Sequence, residues 1–422
     1  MKLEQDYMFA EICKMVQNSE GRNKKQENII LLVLGTLIAL GPFSIDAYLP
    51  GFDSIAKDFD TSISKIGLTL TSYFIGISIG QLAYGPIMDK FGRKKPLLIG
   101  LGIYFLSAIS CMYSPNLEWL IVSRFFLAVG AAAGMVAAKA IVRDVFPVHE
   151  VAGAISVLML IMGGAPIIAP TVGSLIIDSF GWEMIFLFLA VFCLLMIFSV
   201  TRFLPESIVP DKKVDLKPKQ VAIKYFGILT HSKFWSFAFS GSFAIGAMFA
   251  YISDAPKLFM GNFDLSQKEF GLLFGLNAGG LILGSQINRL FLRKFTTLKI
   301  TLFNSVILVI LSGIFLVIAI FDLGFLPTIV TLFFVLFLLG FQNPNTTALS
   351  LEPFEKKAGR ASALIGSLKM ILGAFTSFLV SLFHTSSSVP LAVILFSCLF
   401  LSFLLLFRFN NKTKVNIRFG EA

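Results

Sequence analysis

The chain has 422 residues, 56% hydrophobic and only 14% charged, with a mean hydropathy of +0.82; soluble domains carry roughly 25% charged residues, so this is a membrane protein. Its formal charge of +10 does not indicate nucleic acid, because the basic residues fall into short connections between apolar runs instead of forming one patch. Scattered cysteines (Cys13, Cys111, Cys193, Cys398) suggest neither a disulfide framework nor a metal cluster, and no GxxxxGKS or GxxxxGKT phosphate loop is present to serve a nucleotide-driven pump.

Residues 1–28 are polar, with Lys24 and Lys25 just before the first apolar run. They read as a cytoplasmic leader, since the apolar run that follows is too long for the core of a cleaved signal. That run, 29–49, reads IILLVLGTLIALGPFSIDAYL. It is long enough to cross a bilayer as a helix, yet it carries Asp46, followed by Tyr48, with no basic residue nearby. Eleven further spans are predicted at 66–87, 97–114, 117–142, 151–177, 183–204, 234–256, 269–291, 298–320, 326–349, 358–383 and 389–409. The polar connection 205–233 divides them six and six, giving bundles over 29–204 and 234–409 and a tail over 410–422.

Lys and Arg in short loops set orientation. Lys57, Lys65, Lys257 and Lys268 fall in one set of connections, Arg124 and Lys369 lie within spans, and every other basic residue falls on the leader's side. Both termini are therefore expected in the cytoplasm. Two echoes link the halves: AGAISVL (152–158) with AGRASAL (358–364), and GPIMDKFGR (85–93) with GSQINRLFLR (284–293), where Asp89 is answered by Asn288. A chain of parallel repeats is the plan in which two bundles rock about a midplane site.

GPIMDKFGRKK, in the connection after the second span, supplies Gly85, Asp89, Gly92, Arg93 and Lys94. Gly85 allows close helix approach, Gly92 a tight turn, and Asp89 suits a helix N-terminus. Arg93 then requires an anion, and Asp144, at the same end of the fourth span, is the candidate; the pair is expected to latch the bundles together. In RFFLAVGAAAGMVAAKAIVRD (124–144), Arg124 is costly unless paired or wet. It lies roughly 10 Å inside its span and Asp46 roughly 6 Å inside its own, at about 1.5 Å per residue, so contact is expected. This leaves three uses for Asp46: a carboxylate alternately protonated and ionised, a permanent bridge to Arg124, or a side chain turned out to the interface.

In GGAPIIAPTVGSLI, the glycines Gly163 and Gly173 thin a helix face and the prolines Pro166 and Pro170 kink it. The second half offers Asp254, Asn277, Asn343 and Lys369 to a substrate cavity. Of these, Lys369 is the strongest candidate, because an ammonium in mid-span needs water, an anion or deprotonation.

The GxxxDxxGRK pattern of residues 85–94 resembles the signature of the major facilitator superfamily. With SIDAYLP (44–50), RFF (124–126), RD (143–144) and YISDAP (251–256), residues 30–408 resemble its bicyclomycin and chloramphenicol resistance branch of drug:proton antiporters. That resemblance implies an all-α fold of twelve transmembrane helices in two six-helix bundles. It also implies a multi-pass protein of the bacterial inner membrane that is not an enzyme and exports drug-like molecules in exchange for protons, with no cofactor beyond the proton gradient. Arg124 resembles the motif B arginine. The antiporters' GPxxGG element is matched only in part, with Ala169 and Ser174 at two of its glycines, so the direction of transport rests less on it.

The reading is a proton-coupled multidrug exporter with Asp46 as proton site, Arg124 as its partner, and a lipophilic or cationic drug in an apolar cavity. Its partners are the small molecule, protons and membrane lipid, with no nucleic acid. One chain forms the whole pathway, so a monomer is expected. The alternative on the same fold is a proton-coupled uptake symporter for a nutrient or metabolite.

Overall fold

The computed structural model describes residues 24–211, 216–383 and 387–420. Among them are twelve helices long and apolar enough to cross a membrane: α1 (Lys24–Asp46), α2 (Ile63–Phe91), α3 (Lys94–Met112), α4 (Leu117–Val145), α5 (Val148–Phe180), α6 (Glu183–Phe203), α7 (Ser232–Pro256), α8 (Gln267–Phe291), α9 (Thr297–Ile320), α10 (Phe325–Leu351), α11 (Ala358–Ser381) and α12 (Val389–Gly420). Their starts are marked locally. Ser62 accepts from the Lys65 N–H, Asn116 from that of Trp119, and Ser266 forms a capping box with Glu269.

Most of the expected leader lies outside the described residues. α1 begins five residues before the expected span. The tail expected from residue 410 continues α12 as helix to Gly420. The connection 205–233, read as loop, contains a helix at Pro218–Leu229. Pro218 at its first turn is preset for a helix start, and Val221, Tyr225 and Ile228 then share one face and pack on Ala361, Leu364 and Ile365 of α11.

Within the first half, α4 packs on α1, α2 and α3; within the second, α7 packs on α10, α11 and α12, and α8 on α10. The halves use glycine in the same way. On α2, a Cβ at Gly76 or Gly80 meets the Phe125 carbonyl, Ala128 or Ala132 of α4; on α8, one at Gly280 or Gly284 meets Phe333 or the Phe337 carbonyl of α10. Small residues on both helices let the backbones touch, which is how helices associate where lipid offers no hydrophobic drive.

The two halves meet along α2/α11 and α5/α8. At the end away from the linker this seam is closed. Gln267 Nε2 donates to Ser54 Oγ (3.0 Å), Ser64 Oγ to the Phe383 carbonyl (3.3 Å) and Thr71 Oγ1 to Ser377 Oγ (3.1 Å), while Gly271 and Gly275 lie against the Pro170 and Ile167 carbonyls. At the linker end a cavity of about 510 Å³ lies between the halves, lined by α2, α4, the linker helix and the start of α11.

Candidate functional site

Asp46 is the last residue of α1 and is buried, 4% exposed. The last four carbonyls of a helix have no partner within it, and its C-terminus carries partial negative charge. Arg124 meets both needs: its Nη1 donates to the Ser44 carbonyl at 2.7 Å. Its guanidinium carbon lies 4.4 Å from the centre of the Tyr48 ring, 4.5 Å from that of Tyr73 and 6.0 Å from that of Phe186. Ser44 Oγ donates to the Leu40 carbonyl (2.6 Å) and is 2.6 Å from the Tyr104 hydroxyl, further fixing this helix end.

The expected Asp46–Arg124 pair is therefore corrected. No ion pair within 4.0 Å joins them among the described residues, because the fully buried guanidinium is held by a helix end and by ring faces. Its Nε and Nη2 have no hydrogen-bond acceptor among the described residues, and ring faces supply the negative potential in their place. Asp46 itself is buried at the end of α1 with no ion pair among the described residues. Tyr48, placed by sequence in a substrate cavity, is fully buried as a wall of the arginine cage, its hydroxyl accepting from Thr69 Oγ1 at 3.2 Å.

α5 supports this corner. A Cβ at Gly173 runs into the backbone carbonyl of Ala47, whereas one at Gly163 finds only Ile282 at 3.7 Å. Pro166 and Pro170 sit inside an unbroken α5. Residues 163–173 thus divide their work, Gly173 holding the α1 end and the proline region facing α8.

At the linker end the expected latch residues do come together, but within one half. Arg93 Nη1 donates to Asp89 Oδ1 (2.7 Å) and its Nε to Asp144 Oδ2 (2.9 Å). Burial opposes the Arg93 charge, but the hydrogen bonds and charges of Asp144 and Asp89 outweigh it and raise its pKa above the ordinary arginine value. Since α2 and α4 are in the same half, a direct lock between halves is replaced by a clasp to the linker. The Glu206 carboxylate accepts from the backbone N–H groups of Arg93 (2.7 Å) and Lys94 (3.1 Å), Ser207 Oγ donates to Asp144 Oδ2 (3.0 Å), and Lys94 Nζ donates to the Leu204 carbonyl (2.7 Å).

Gly92 has φ +89°, and a Cβ there would lie 2.6 Å from a Glu206 oxygen, so both backbone and space require glycine. Gly85 borders the cavity, with Tyr225 nearby; the Tyr225 hydroxyl donates to the Leu82 carbonyl of α2 (3.3 Å). Sequence reasoning missed Glu206 because its partners are backbone N–H groups more than a hundred positions earlier. The only local signal was an acid just after a span, in PES. Replacing Glu206 with Ala removes the anion at the start of α3 and is expected to cost about 1–2 kcal/mol, read as a lower melting temperature and faster amide exchange over residues 93–97.

In the second half, Lys369 on α11 donates to Asn343 Oδ1 (2.5 Å) and Thr347 Oγ1 (2.7 Å) on α10. Asn277 is buried and donates to the Tyr251 hydroxyl at 2.7 Å. Asp254 is corrected from a cavity residue to half of an internal ion pair, 2.9 Å from Lys257 Nζ, whose backbone continues from α7 in a wider π-helical turn (Lys257–Asn262). Lys139 on α4 was read only as a topology charge, yet it lines the cavity. Among the described residues no His, Cys, Asp and Glu grouping could hold a metal ion.

The family model described as Major Facilitator Superfamily matches residues 32–377. A bicyclomycin resistance protein homolog of Haemophilus influenzae is 31% identical over 389 residues, 90% of this chain and 96% of that protein. Multidrug resistance protein D of Escherichia coli is 27% identical over 82% of this chain and 87% of its own length. Among solved structures, a D-xylose-proton symporter superposes with a TM-score of 0.71 over 91% of this chain and 97% of its own, at 14% identity, a likeness of fold alone.

Proposed function

Because the chain belongs to the Major Facilitator Superfamily, and is therefore a multi-pass transporter of the bacterial inner membrane and not an enzyme, we propose that it exports drug-like molecules in exchange for protons. Asp46 is the proton site in this reading. The relatives named for bicyclomycin and multidrug resistance support export of drugs. The observation that carries the proton site is a buried carboxylate at the end of α1 with no ion pair to a cation among the described residues.

Taking a lone carboxylate out of water is unfavourable in its ionised form. A group in that position gains or loses a proton as rocking of the halves changes its access to water. With the linker end on the cytoplasmic side, as the basic loops imply, the cavity between the halves faces the cytoplasm and loads substrate. When the far end opens, a proton from outside neutralises Asp46, the drug leaves from the same space, and the halves rock back. Arg124 acts as a positioning residue, fixing the end of α1 that carries Asp46. Asp89, Arg93, Asp144, Glu206 and Lys94 form the hinge clasp through which the linker follows that motion.

A cell lacking this transporter should accumulate chloramphenicol or bicyclomycin faster than its parent, with the difference abolished by an uncoupler. Unchanged accumulation together with lost growth on one nutrient would overturn export in favour of uptake.

A further inference from the structure

Five cations and three acids line the cavity between the halves, and they lie at different depths. The acids are at its mouth. Asp89 is two residues from the end of α2 and Asp144 one from the end of α4, while Asp211 belongs to the linker, its backbone N–H donating to the Asp89 carbonyl at 3.2 Å. Asp89 and Asp144 are both engaged by Arg93. The mouth also carries Arg143, Lys224 and Arg360, none of which has an ion pair among the described residues. A molecule entering from the linker side therefore meets a positive field.

Lys139 stands apart from these. It is six residues from the end of α4, roughly 9 Å of rise, and is the innermost charge on the cavity wall among the described residues. It is half-buried, and its Nζ makes no hydrogen bond or ion pair among the described residues. Further in, α2 and α4 line the space with Gln81, Met135 and Val136 and bring no carboxylate. An ammonium so placed needs an acceptor, from water or from a bound molecule. A second cation brought beside it, away from bulk water, is repelled far more strongly than in solution, and the acids that could offset the repulsion stay at the mouth.

We propose that Lys139 selects substrates by charge on the transport path, donating to an oxygen acceptor of an uncharged drug and turning cationic molecules away. This rests on the cavity between the halves being that path, and it narrows the expected lipophilic or cationic drugs to uncharged molecules that carry acceptors. The amide and nitro oxygens of chloramphenicol are acceptors of this kind. A cavity of about 510 Å³ takes small molecules, and one ammonium with no protein partner both rewards an acceptor and penalises a positive charge. Gln81 and Met135 then supply a polar amide and an adaptable apolar surface beyond it.

The test uses two compounds of similar shape and different charge, titrated by calorimetry onto the full-length chain in detergent: triphenylphosphine oxide, neutral with a strong oxygen acceptor, and the methyltriphenylphosphonium cation. The oxide should bind about tenfold or more tightly than the phosphonium. Lys139→Gln should weaken the oxide about threefold and strengthen the phosphonium about fivefold or more. A merely structural role does not move the two in opposite directions. Lys139→Arg should keep the wild-type preference. Equal or tighter binding of the phosphonium by wild type, heat from neither compound, or a Gln variant with the wild-type preference would overturn the proposal. Loss of both compounds in the Gln and Arg variants alike would assign Lys139 to the fold and overturn it as well. The expected binding in a chain that moves no drug in cells would leave this selection standing and remove the export reading alone, whereas chloramphenicol export by a chain that binds both compounds equally would remove the selection alone.

Discussion

Asp46→Asn is expected to abolish proton-coupled drug export while leaving the protein as stable as wild type, within about 0.5 kcal/mol. The two halves of that result come from one observation. A buried carboxylate locked in a salt bridge would leave its cation unpaired on mutation, at a cost of about 3–5 kcal/mol. Asp46 makes no ion pair with Arg124, so the amide substitutes sterically and leaves Arg124 in its cage. What is lost is the group that can take and release a proton. Drug susceptibility of a strain carrying the variant should match that of the deletion, with normal amounts of folded protein in the membrane and an unchanged melting temperature. A variant that folds and still protects its host as well as wild type would remove Asp46 from the mechanism.

Arg124→Ala should behave in the opposite way, losing the fold along with activity. The change strips the Ser44 carbonyl of its donor, removes a cation from the negative end of α1, empties the space between Tyr48, Tyr73 and Phe186, and deletes the largest fully buried side chain. Helix-end and ring contacts are worth about 0.5–2 kcal/mol each, and a lost buried network together with a cavity brings the expected destabilisation to about 3–5 kcal/mol. Lysine should rescue only in part, since an ammonium keeps the charge but not the planar stack against two tyrosines. Melting temperatures of the purified variants, ordered wild type, Lys, Ala, would bear this out; an Ala variant as stable as wild type would contradict the cage.

The twelve spans were legible because a bilayer demands long apolar helices, and each predicted run falls on an observed one. Glycines bring both α2 and α8 onto a neighbouring helix, but not at the positions that the echo of 85–93 in 284–293 aligns: a Cβ at Gly85 would meet only the Tyr225 hydroxyl at 3.9 Å, whereas one at Gly284 meets the Phe337 carbonyl. Side-chain partnerships were less legible. Asp46 and Arg124 were matched by depth along their helices, but depth says nothing of rotation about the axis, and rotation brings Arg124 to the Ser44 carbonyl at the end of α1 and not to the Asp46 carboxylate. The latch residues were identified individually, while their link to the linker through Glu206 joins side chain to backbone across distant positions. The linker helix was hidden by its charge; its Val221, Tyr225, Ile228 spacing was readable but short. Lys139 was counted as a loop charge because its place at the cavity depends on where α4 meets the space between the halves.

Proton movement caused by drug tests the central claim most directly. Inverted membrane vesicles that hold an acid interior should lose part of that gradient when chloramphenicol or bicyclomycin is added to wild-type membranes, and keep it with Asp46→Asn or with membranes lacking the chain. Equal loss in wild type and Asp46→Asn, or drug uptake by wild-type vesicles with no change in the gradient, would contradict the account.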